Sequence, residues 1–312
     1  MGSELQPKLP VLDFSNENLK PGTSSWLSKS KEVRQALEDY GCFVVLYDKV
    51  PSDLRNDVFG ALEELFDLPT EIKLKNKYEK PLNGYVGQIP KLPLHESMGI
   101  ENATSLEGTQ TFTNLMWPSG NDRFCARVHW YAKLAAELDQ MVTRMIYESY
   151  GVEKYYDSYI ESTTYLLRVL KNRAPHGNEP NLGFVTHTDK SFTTILHQNQ
   201  IDGLEVELKD GEWITVEYSP SSFVVMAGDA LMAWSNDRIL SPSHRVVMSG
   251  NEARYSLGLF SFSDGIVKVP EELVDDEHPL LYKPFDHLGL LHFFRTDEGY
   301  KSKCPIKAFC GV

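Results

Sequence analysis

Apolar positions are spaced differently in the two halves of the chain. In the first half they recur at helical spacing over residues 51–67 and over about 121–150. A further helix is predicted between two short apolar strands at 9–14 and 42–47. Residues 80–120 are interrupted by prolines and glycines and predict a loop-rich stretch. The first half is therefore expected to be mainly helical with a few strands.

From about residue 163 to 263 the pattern changes to short apolar and β-branched runs separated by turns. These runs do not alternate with helical segments, which argues against a Rossmann or TIM-barrel fold, and no glycine-rich phosphate-binding motif occurs. We expect a mainly β fold with flanking helices, built as a sandwich, barrel or jelly roll and followed by a helix near 284–296. The predicted strands are TYLLRVL, FTTILHQ, GLEVEL, EWITVEY, SFVVMAG, ALMAWS, HRVVMS and RYSLGLFSF.

Charge and cysteine content limit the partners of the chain. Its 312 residues include 31 Lys and Arg against 44 Asp and Glu, which gives a formal net charge of -13. Because an acidic surface repels nucleic acids and anionic membranes, neither is expected as a partner. The four cysteines lack the spacing of a zinc site and are expected to be free thiols, with a Cys304–Cys310 disulfide as the alternative.

The N-terminal residues MGSELQPKLPVLDF show no secretory or transit pattern. MGSELQ also lacks the Ser or Thr at position six of a myristoylation site. No apolar run approaches the roughly 20 residues that a membrane helix needs. We therefore expect a cytoplasmic protein, and we expect it to be a monomer.

One short segment, THTDKS, places a histidine and a carboxylate two positions apart, at His187 and Asp189. On a strand such residues point to the same face and can share one ion. His244, in SPSHRVVM, is the best candidate for a third ligand. Two histidines and one carboxylate form the facial triad of non-haem Fe(II) oxygenases, and zinc is the rival metal. Taken alone the motif is weak, because His187 could be a core histidine and Asp189 could cap a turn.

A second pair strengthens the hypothesis. Arg254 and Ser256, in ARYSLGLF, also lie two positions apart on a predicted strand. A guanidinium and a hydroxyl on one face suit a carboxylate, which the arginine can bind through two parallel hydrogen bonds. The alternative is that Arg254 pairs with an internal Asp or Glu, because a buried lone charge is very costly.

With these residues in view, the chain resembles the plant 2-oxoglutarate/Fe(II)-dependent dioxygenases. The resemblance extends over GFVTHTDKSFTTIL, DGLEVELKDGEWITVEYSPSSFVVMAGDAL, WSNDRILSPSHRV and RYSLGLFSF, and over the N-terminal LPVLDF and EVRQALEDYGCFVV. Within that family, LPVLDFSNENLKPGTSSW and LLRVLKNRAP are most similar to the AOP-like branch. That branch includes enzymes of glucosinolate side chains and hydroxylases of other specialised metabolites, with auxin oxidases as relatives.

The resemblance implies a double-stranded β-helix, or jelly-roll, core with a helical N-terminal region. It implies an N-terminal region over 1–155, the oxygenase core over 156–265 and a C-terminal extension with a helix over 266–312. It also implies that Fe(II) is bound by a histidine–aspartate–histidine triad and that 2-oxoglutarate binds the iron, with an arginine and a serine holding its far carboxylate. The residues concerned are His187, Asp189 and His244 for the metal, and Arg254 and Ser256 for the co-substrate.

Two positions depart from the family pattern. The family often has Asn and Tyr in an N-Y-Y-P stretch, where the second Tyr helps to hold the co-substrate. Leu170 and Asn172 stand at those positions here. Leucine cannot donate a hydrogen bond, and asparagine donates from a shorter side chain. We therefore expect a looser co-substrate anchor or a contribution from another group.

The expected reaction is hydroxylation of a small plant specialised metabolite, with release of succinate and CO₂ and with ascorbate as the reductant. The alternatives are oxidation of a hormone such as an auxin, or demethylation, desaturation or ring closure of a metabolite. In other function classes, a catalytically impaired binding homologue and a jelly-roll zinc hydrolase are considered. Six residues of mainly apolar character are predicted to contact the substrate: Phe260, Phe112, Leu115, Trp117, His292 and Phe293.

Overall fold

The computed structural model describes residues 8–16 and 18–312. The segment MGSELQ, on which the myristoylation argument rests, lies outside this range. The helices are α1 Ser24–Tyr40, α2 Ser52–Phe66, α3 Thr70–Lys73, α4 Leu106–Met116, α5 Asp122–Ser149, α6 Tyr156–Ser162, α7 Asp229–Trp234, α8 His287–Phe294, α9 Asp297–Lys301 and α10 Pro305–Cys310. The strands are β1 Val11–Asp13, β2 Cys42–Leu46, β3 His95–Glu101, β4 Thr163–Asn172, β5 Leu182–His187, β6 Thr193–Gln198, β7 Leu204–Glu207, β8 Trp213–Thr215, β9 Ser222–Ala227, β10 His244–Val247, β11 Arg254–Ser263, β12 Ile266–Val267 and β13 Phe285–Asp286.

Two sheets form the centre of the molecule. The larger has seven strands in the order β1-β2-β9-β6-β11-β4-β3, and the smaller has four in the order β5-β10-β7-β8. Neighbouring strands are antiparallel except for β1 and β2. Two antiparallel sheets with non-sequential neighbours are typical of a jelly roll, which confirms the predicted fold class.

The N-terminal region contributes to this core directly. β1 and β2 extend one edge of the larger sheet through β9, and β3 forms the other edge beside β4. Strands from both sides of residue 155 thus share one sheet, and the division at that residue stays a prediction about sequence units.

Helix α5 organises the helical layer. The Asn121 side chain caps its start by accepting a hydrogen bond from the Phe124 N–H at 3.0 Å, and the helix ends at Ser149, before Gly151. Its apolar face, which includes Val128 and Leu138, is fully buried and packs against α1, α2 and α4. The predicted long helix is therefore confirmed, because its apolar period and its cap indicate the same element.

Two secondary-structure predictions are wrong. ALMAWS forms helix α7 instead of a strand. The prediction failed because a short, continuous apolar run shows neither the helical nor the strand spacing of apolar residues. The stretch 80–120 contains strand β3 and helix α4 in addition to loops. Gly99 weakened the strand pattern in the sequence, so the strand was not predicted. Glycine is required at this position because a Cβ atom would lie 2.0 Å from the Asn83 carbonyl oxygen.

All four cysteines are free thiols in the structure, so Cys304 and Cys310 are not bridged. Within residues 8–16 and 18–312, no helix combines the length and apolar character required to cross a bilayer.

His197 on β6 is a core histidine, and it leads to a pH prediction. Its ring lies between Phe59 and Phe223, and burial lowers its pKa from 6.5 to about 3. The native state therefore holds it neutral, so its contribution to stability is present above pH 6.5 and is lost as the pH falls toward 3. Between pH 7 and pH 5 we expect this residue to cost about 2 kcal/mol of unfolding free energy.

Urea unfolding at the two pH values measures this effect. In His197→Phe the loss of stability between pH 7 and pH 5 should be smaller than in the wild type by about that amount. His176→Phe, at an exposed position, serves as the control and should behave as the wild type does. Identical pH dependence in wild type and His197→Phe would contradict the assignment.

Candidate active site

The three predicted metal ligands come together at one end of the smaller sheet. His187 is the last residue of β5, and His244 is the first residue of β10 and lies directly opposite it. Asp189 follows two residues after the end of β5. Its Oδ1 atom lies 3.6 Å from His187 Nε2 and 3.7 Å from His244 Nε2. Strand pairing thus joins the histidines, and the loop after β5 adds the carboxylate.

Backbone carbonyls set the tautomers of both histidines. Nδ1 of His187 lies 2.8 Å from the Val185 carbonyl oxygen, and Nδ1 of His244 lies 3.2 Å from that of Pro242. A carbonyl oxygen only accepts, so each Nδ1 carries the proton and each Nε2 keeps its lone pair for a metal. Burial lowers the pKa of His244 to about 4, with the neighbouring His187 as a second cause, so this ring is neutral at physiological pH.

Asp189 completes the donor set. Burial by itself would raise its pKa, but His244, His187 and the hydroxyl of Thr194 outweigh that effect and hold the pKa below its ordinary value. Thr194 Oγ1 donates to Asp189 Oδ2 at 2.8 Å, which leaves Oδ1 directed at the histidines. Two imidazoles and one carboxylate fit Fe(II) as a facial triad and leave three coordination positions open.

Thr194 should therefore affect metal affinity without touching the metal. Thr194→Val keeps the shape of this fully buried side chain and removes the hydrogen bond that orients Asp189. We expect Fe(II) affinity to fall about tenfold to hundredfold, measured by anaerobic metal titration. Thr215→Val, at an exposed position on β8, is the matched control. Equal affinity in the Thr194 variant and the control would remove this role.

Arg254 lies in the cavity between the sheets, at the start of β11. Its Nη1 atom donates to Ser256 Oγ at 3.0 Å and its Nη2 atom to Gln198 Oε1 at 2.8 Å. The buried Nε–H has no hydrogen-bond partner among the residues that the structure covers, 8–16 and 18–312. Among the residues that the structure describes, no carboxylate lies within 4.0 Å of this guanidinium, so the internal ion pair considered from sequence is not formed. An unsatisfied donor on a buried cation fits the carboxylate of a small acid.

The two residues that depart from the family pattern have different roles. Leu170 lies opposite Ser256 and contributes an apolar side chain to the cavity. The Asn172 amide donates to the Gly183 carbonyl oxygen at 2.8 Å, which ties β4 of the larger sheet to β5 of the smaller one. Asn172 therefore stabilises the junction of the sheets beside Arg254.

A cavity of about 340 Å³ joins the triad to Arg254. One predicted substrate residue, Phe260, lines it, together with residues that sequence reasoning missed. Because β3 was not predicted as a strand, the inward-facing His95 and Ser97 were not found, and Arg168 was not predicted as a site residue. The apolar part of the lining includes Val86, Leu166, Leu170, Phe184, Val246, Phe260, Phe262, Leu291 and Phe294.

Three of the predicted substrate contacts lie elsewhere. Phe112 and Leu115, on α4, and Trp117, directly after it, belong to the core between α4 and α5 and do not line the cavity. The rings of Phe112 and Trp117 lie 5.9 Å and 4.7 Å from that of Phe124. These side chains point at α5 because α4 is an amphipathic helix, which sequence reasoning had taken for a loop.

The C-terminal helix was predicted correctly, but with the wrong face toward the cavity. His292 is exposed, and Phe293 packs against Phe309 with ring centroids 5.3 Å apart. Leu291 and Phe294 line the cavity instead. They are three positions apart and share one face of α8, so the two predicted residues lie on other faces.

Comparison with known proteins agrees with this geometry. A model of the 2OG-Fe(II) oxygenase superfamily matches residues 164–263, and one of the non-haem dioxygenase in morphine synthesis N-terminal region matches residues 9–119. The probable 2-oxoglutarate-dependent dioxygenase AOP1.2 of Arabidopsis thaliana is 46% identical over 310 residues, which is 97% of this chain and 95% of the relative. The chain belongs to the 2OG-Fe(II) oxygenase superfamily.

Solved structures place this oxygenase among enzymes of known fold. The dioxygenase for auxin oxidation in rice superimposes with a TM-score of 0.82 and 27% identity, over 98% of this chain and all of that one. The Arabidopsis thaliana dioxygenase for auxin oxidation 1, in its 2-oxoglutarate complex, gives a TM-score of 0.79 and 27% identity, over 87% of this chain and all of that one. Membership makes the oxygenase an oxidoreductase that uses Fe(II) and 2-oxoglutarate, and the zinc hydrolase hypothesis is set aside.

Proposed function

We propose that this oxygenase hydroxylates a small, largely apolar plant metabolite and releases succinate and CO₂. The observation that carries the proposal is one cavity that contains the three metal donors, an unsatisfied buried arginine and an apolar wall. Each part has a task in the reaction, and the Arabidopsis relatives support a role in plants.

In this proposal His187, Asp189 and His244 hold Fe(II), and Arg254 with Ser256 holds the far carboxylate of 2-oxoglutarate. When bound, Fe(II) would let O₂ oxidise both molecules: one oxygen atom enters succinate as 2-oxoglutarate loses CO₂, and the other is inserted into an unactivated C–H bond of the substrate. The apolar wall, including Phe260, orients the substrate and excludes water. No acid or base side chain is assigned a proton transfer. Ascorbate as reductant, a cytoplasmic location and a monomeric state remain predictions.

Hormone oxidation is the second candidate, and one observation favours it. Two solved relatives at 27% identity are dioxygenases for auxin oxidation. Demethylation, desaturation and ring closure use the same site and differ only in the fate of the substrate. An impaired binding homologue also has a precedent, because a relative at 33% identity is described as a probable inactive AOP2.

Product analysis tests the proposal. Purified enzyme is incubated with Fe(II), 2-oxoglutarate, ascorbate, oxygen and a panel of plant metabolites, and products are identified by mass spectrometry. Hydroxylation predicts a product that gains one oxygen atom in step with succinate release. A product that has lost a methyl group or two hydrogens would assign the alternative reaction, and succinate release that no panel member stimulates would contradict the proposal.

A further inference from the structure

A second arginine lies in the cavity, away from the one that anchors the co-substrate. Arg168 lies on β4, whose residues Leu166, Arg168, Leu170 and Asn172 alternate toward the cavity. Asn172 is opposite Arg254 across the β4–β11 pair, so Arg168 lies four residues, or about 13 Å, along the strand from that row. A 2-oxoglutarate molecule held by the iron and Arg254 therefore leaves Arg168 for another ligand.

The contacts of Arg168 hold its guanidinium in place without neutralising it. Nη2 donates to Ser97 Oγ at 2.6 Å and to the Gly84 carbonyl oxygen at 3.3 Å, and Nη1 donates to the Leu82 carbonyl oxygen. All three acceptors are uncharged. Within the described part of the chain no carboxylate oxygen lies within 4.0 Å of this arginine.

The carboxylates of the adjacent strand have other partners. Glu96 on β3 pairs with Lys73 at 2.6 Å, and Glu101 accepts from the Asn83 amide at 2.6 Å. The strand neighbours of Arg168 are Gly258 on β11 and Gly99 on β3, so no side chain from either position covers the guanidinium. Burial lowers the pKa of Arg168 to about 10, which still leaves it charged at physiological pH.

The other cations of the cavity have a carboxylate near them. The charge of Asp202 acts on Arg254 and opposes the lowering of its pKa by burial. Lys190, which also borders the cavity, pairs with Asp229 at 2.8 Å. Among the described residues no carboxylate acts on Arg168 in this way, and its pKa shift has burial as its cause. Its guanidinium is half-buried, with Ser97 and the apolar Leu166 in the same lining, and such an unpaired charge favours an anionic ligand.

We propose that Arg168 binds the carboxylate of the substrate, so that this oxygenase acts on a singly charged organic acid with an apolar body. The inference rests on the proposed function, because it assumes that iron and 2-oxoglutarate occupy the part of the cavity beside Arg254. Arg168 is thus a specificity-determining residue: it orients one end of the acid, and the apolar wall holds the remainder beside the metal. A guanidinium binds a carboxylate through two parallel hydrogen bonds and also fixes its orientation.

The test compares acids with their uncharged amides. Binding of indole-3-acetate, indole-3-acetamide, 3-phenylpropionate and 3-phenylpropionamide is measured by calorimetry on anaerobic enzyme loaded with Fe(II) and 2-oxoglutarate. Of the two acids, the one that binds the wild type more tightly should bind about tenfold or more tightly than its own amide. Arg168→Gln should weaken acid binding about tenfold to hundredfold and change amide binding less than about threefold. Arg168→Lys keeps the charge and should retain part of the preference.

The control is Arg173→Gln, which removes an arginine that pairs with Glu179 at the surface. It should bind all four probes as the wild type does. No preference for acids in the wild type, including no binding of any probe, would overturn the inference. So would an equal loss of acid and amide binding in Arg168→Gln, since that result indicates a structural role. If Arg168→Gln does not fold, loss of the whole preference in Arg168→Lys overturns it. Failure of the proposed function is distinguished by failure of the wild type to bind 2-oxoglutarate.

Discussion

The His187→Ala variant is expected to lose stoichiometric Fe(II) binding and to lower 2-oxoglutarate-dependent succinate release by about 10³-fold or more. The remaining donors, Asp189 and His244, cannot form a facial triad alone. His187 is only half-buried at the end of β5, so its removal should leave the fold intact. Equilibrium metal binding under anaerobic conditions and succinate assays measure the two losses separately.

Thermal melting and a control variant separate loss of the metal from other effects of the substitution. The His187→Ala variant should melt within a few degrees of metal-free wild type, which separates metal loss from unfolding. His176→Ala, at an exposed histidine outside the cavity, should retain metal and activity. If His187→Ala binds Fe(II) and releases succinate as the wild type does, the metal assignment is wrong.

The Arg254→Gln variant is expected to raise the 2-oxoglutarate concentration for half-maximal activity by about 10²-fold, because a buried charge pair is lost. At saturating 2-oxoglutarate its turnover should recover much of the wild-type value, since the metal donors are unchanged. This split between apparent affinity and turnover is the signature of an anchoring residue. Steady-state kinetics with varied 2-oxoglutarate measures it.

Two further variants provide comparisons for the change in 2-oxoglutarate requirement expected in Arg254→Gln. Ser256→Ala removes one neutral hydroxyl beside Arg254 and should raise the requirement by only about tenfold. Arg144→Gln removes an arginine of α5 that pairs with Glu148 at the surface and should leave the requirement unchanged. An unchanged 2-oxoglutarate requirement in Arg254→Gln would refute the anchor.

The candidate metal and co-substrate residues could be predicted from sequence because chemistry restricts such residues to a few side-chain types. His187 and Asp189 lie close in the chain, and Arg254 and Ser256 share one strand face, so short spacing was sufficient. The argument for His187 and Asp189 assumed a continuous strand, whereas the structure places Asp189 in the loop after β5. The conclusion held because the loop keeps the carboxylate beside both histidines.

The residues on the substrate side of the cavity were much harder to predict from the sequence. Phe112 and Trp117 are aromatic residues in a segment without a clear period, and only packing against α5 shows that they belong to the core. Arg168 could not be recognised either, because its meaning depends on which carboxylates fail to reach it across β3 and β11. Whether a side chain lacks a charged partner depends on the tertiary structure and cannot be deduced from a single sequence.

The charge distribution connects the surface with the site. The chain carries a formal net charge of -13, yet Arg254 and Arg168 place two positive charges in the lining of its cavity. In the proposals made above, anions are recognised by Arg254 and Arg168 acting at short range in a low-dielectric cavity. The net charge of the chain does not predict which small molecules enter that cavity.

The most direct test of the central claim is turnover under oxygen-18 gas with Fe(II), 2-oxoglutarate and a substrate found in the product screen. The account predicts that wild type forms one succinate per oxidised substrate, that each succinate carries one labelled oxygen atom, and that Arg144→Gln does the same. His187→Ala should form neither product. Unlabelled succinate from the iron-loaded wild type, or labelled succinate in equal amounts from His187→Ala, would contradict the account.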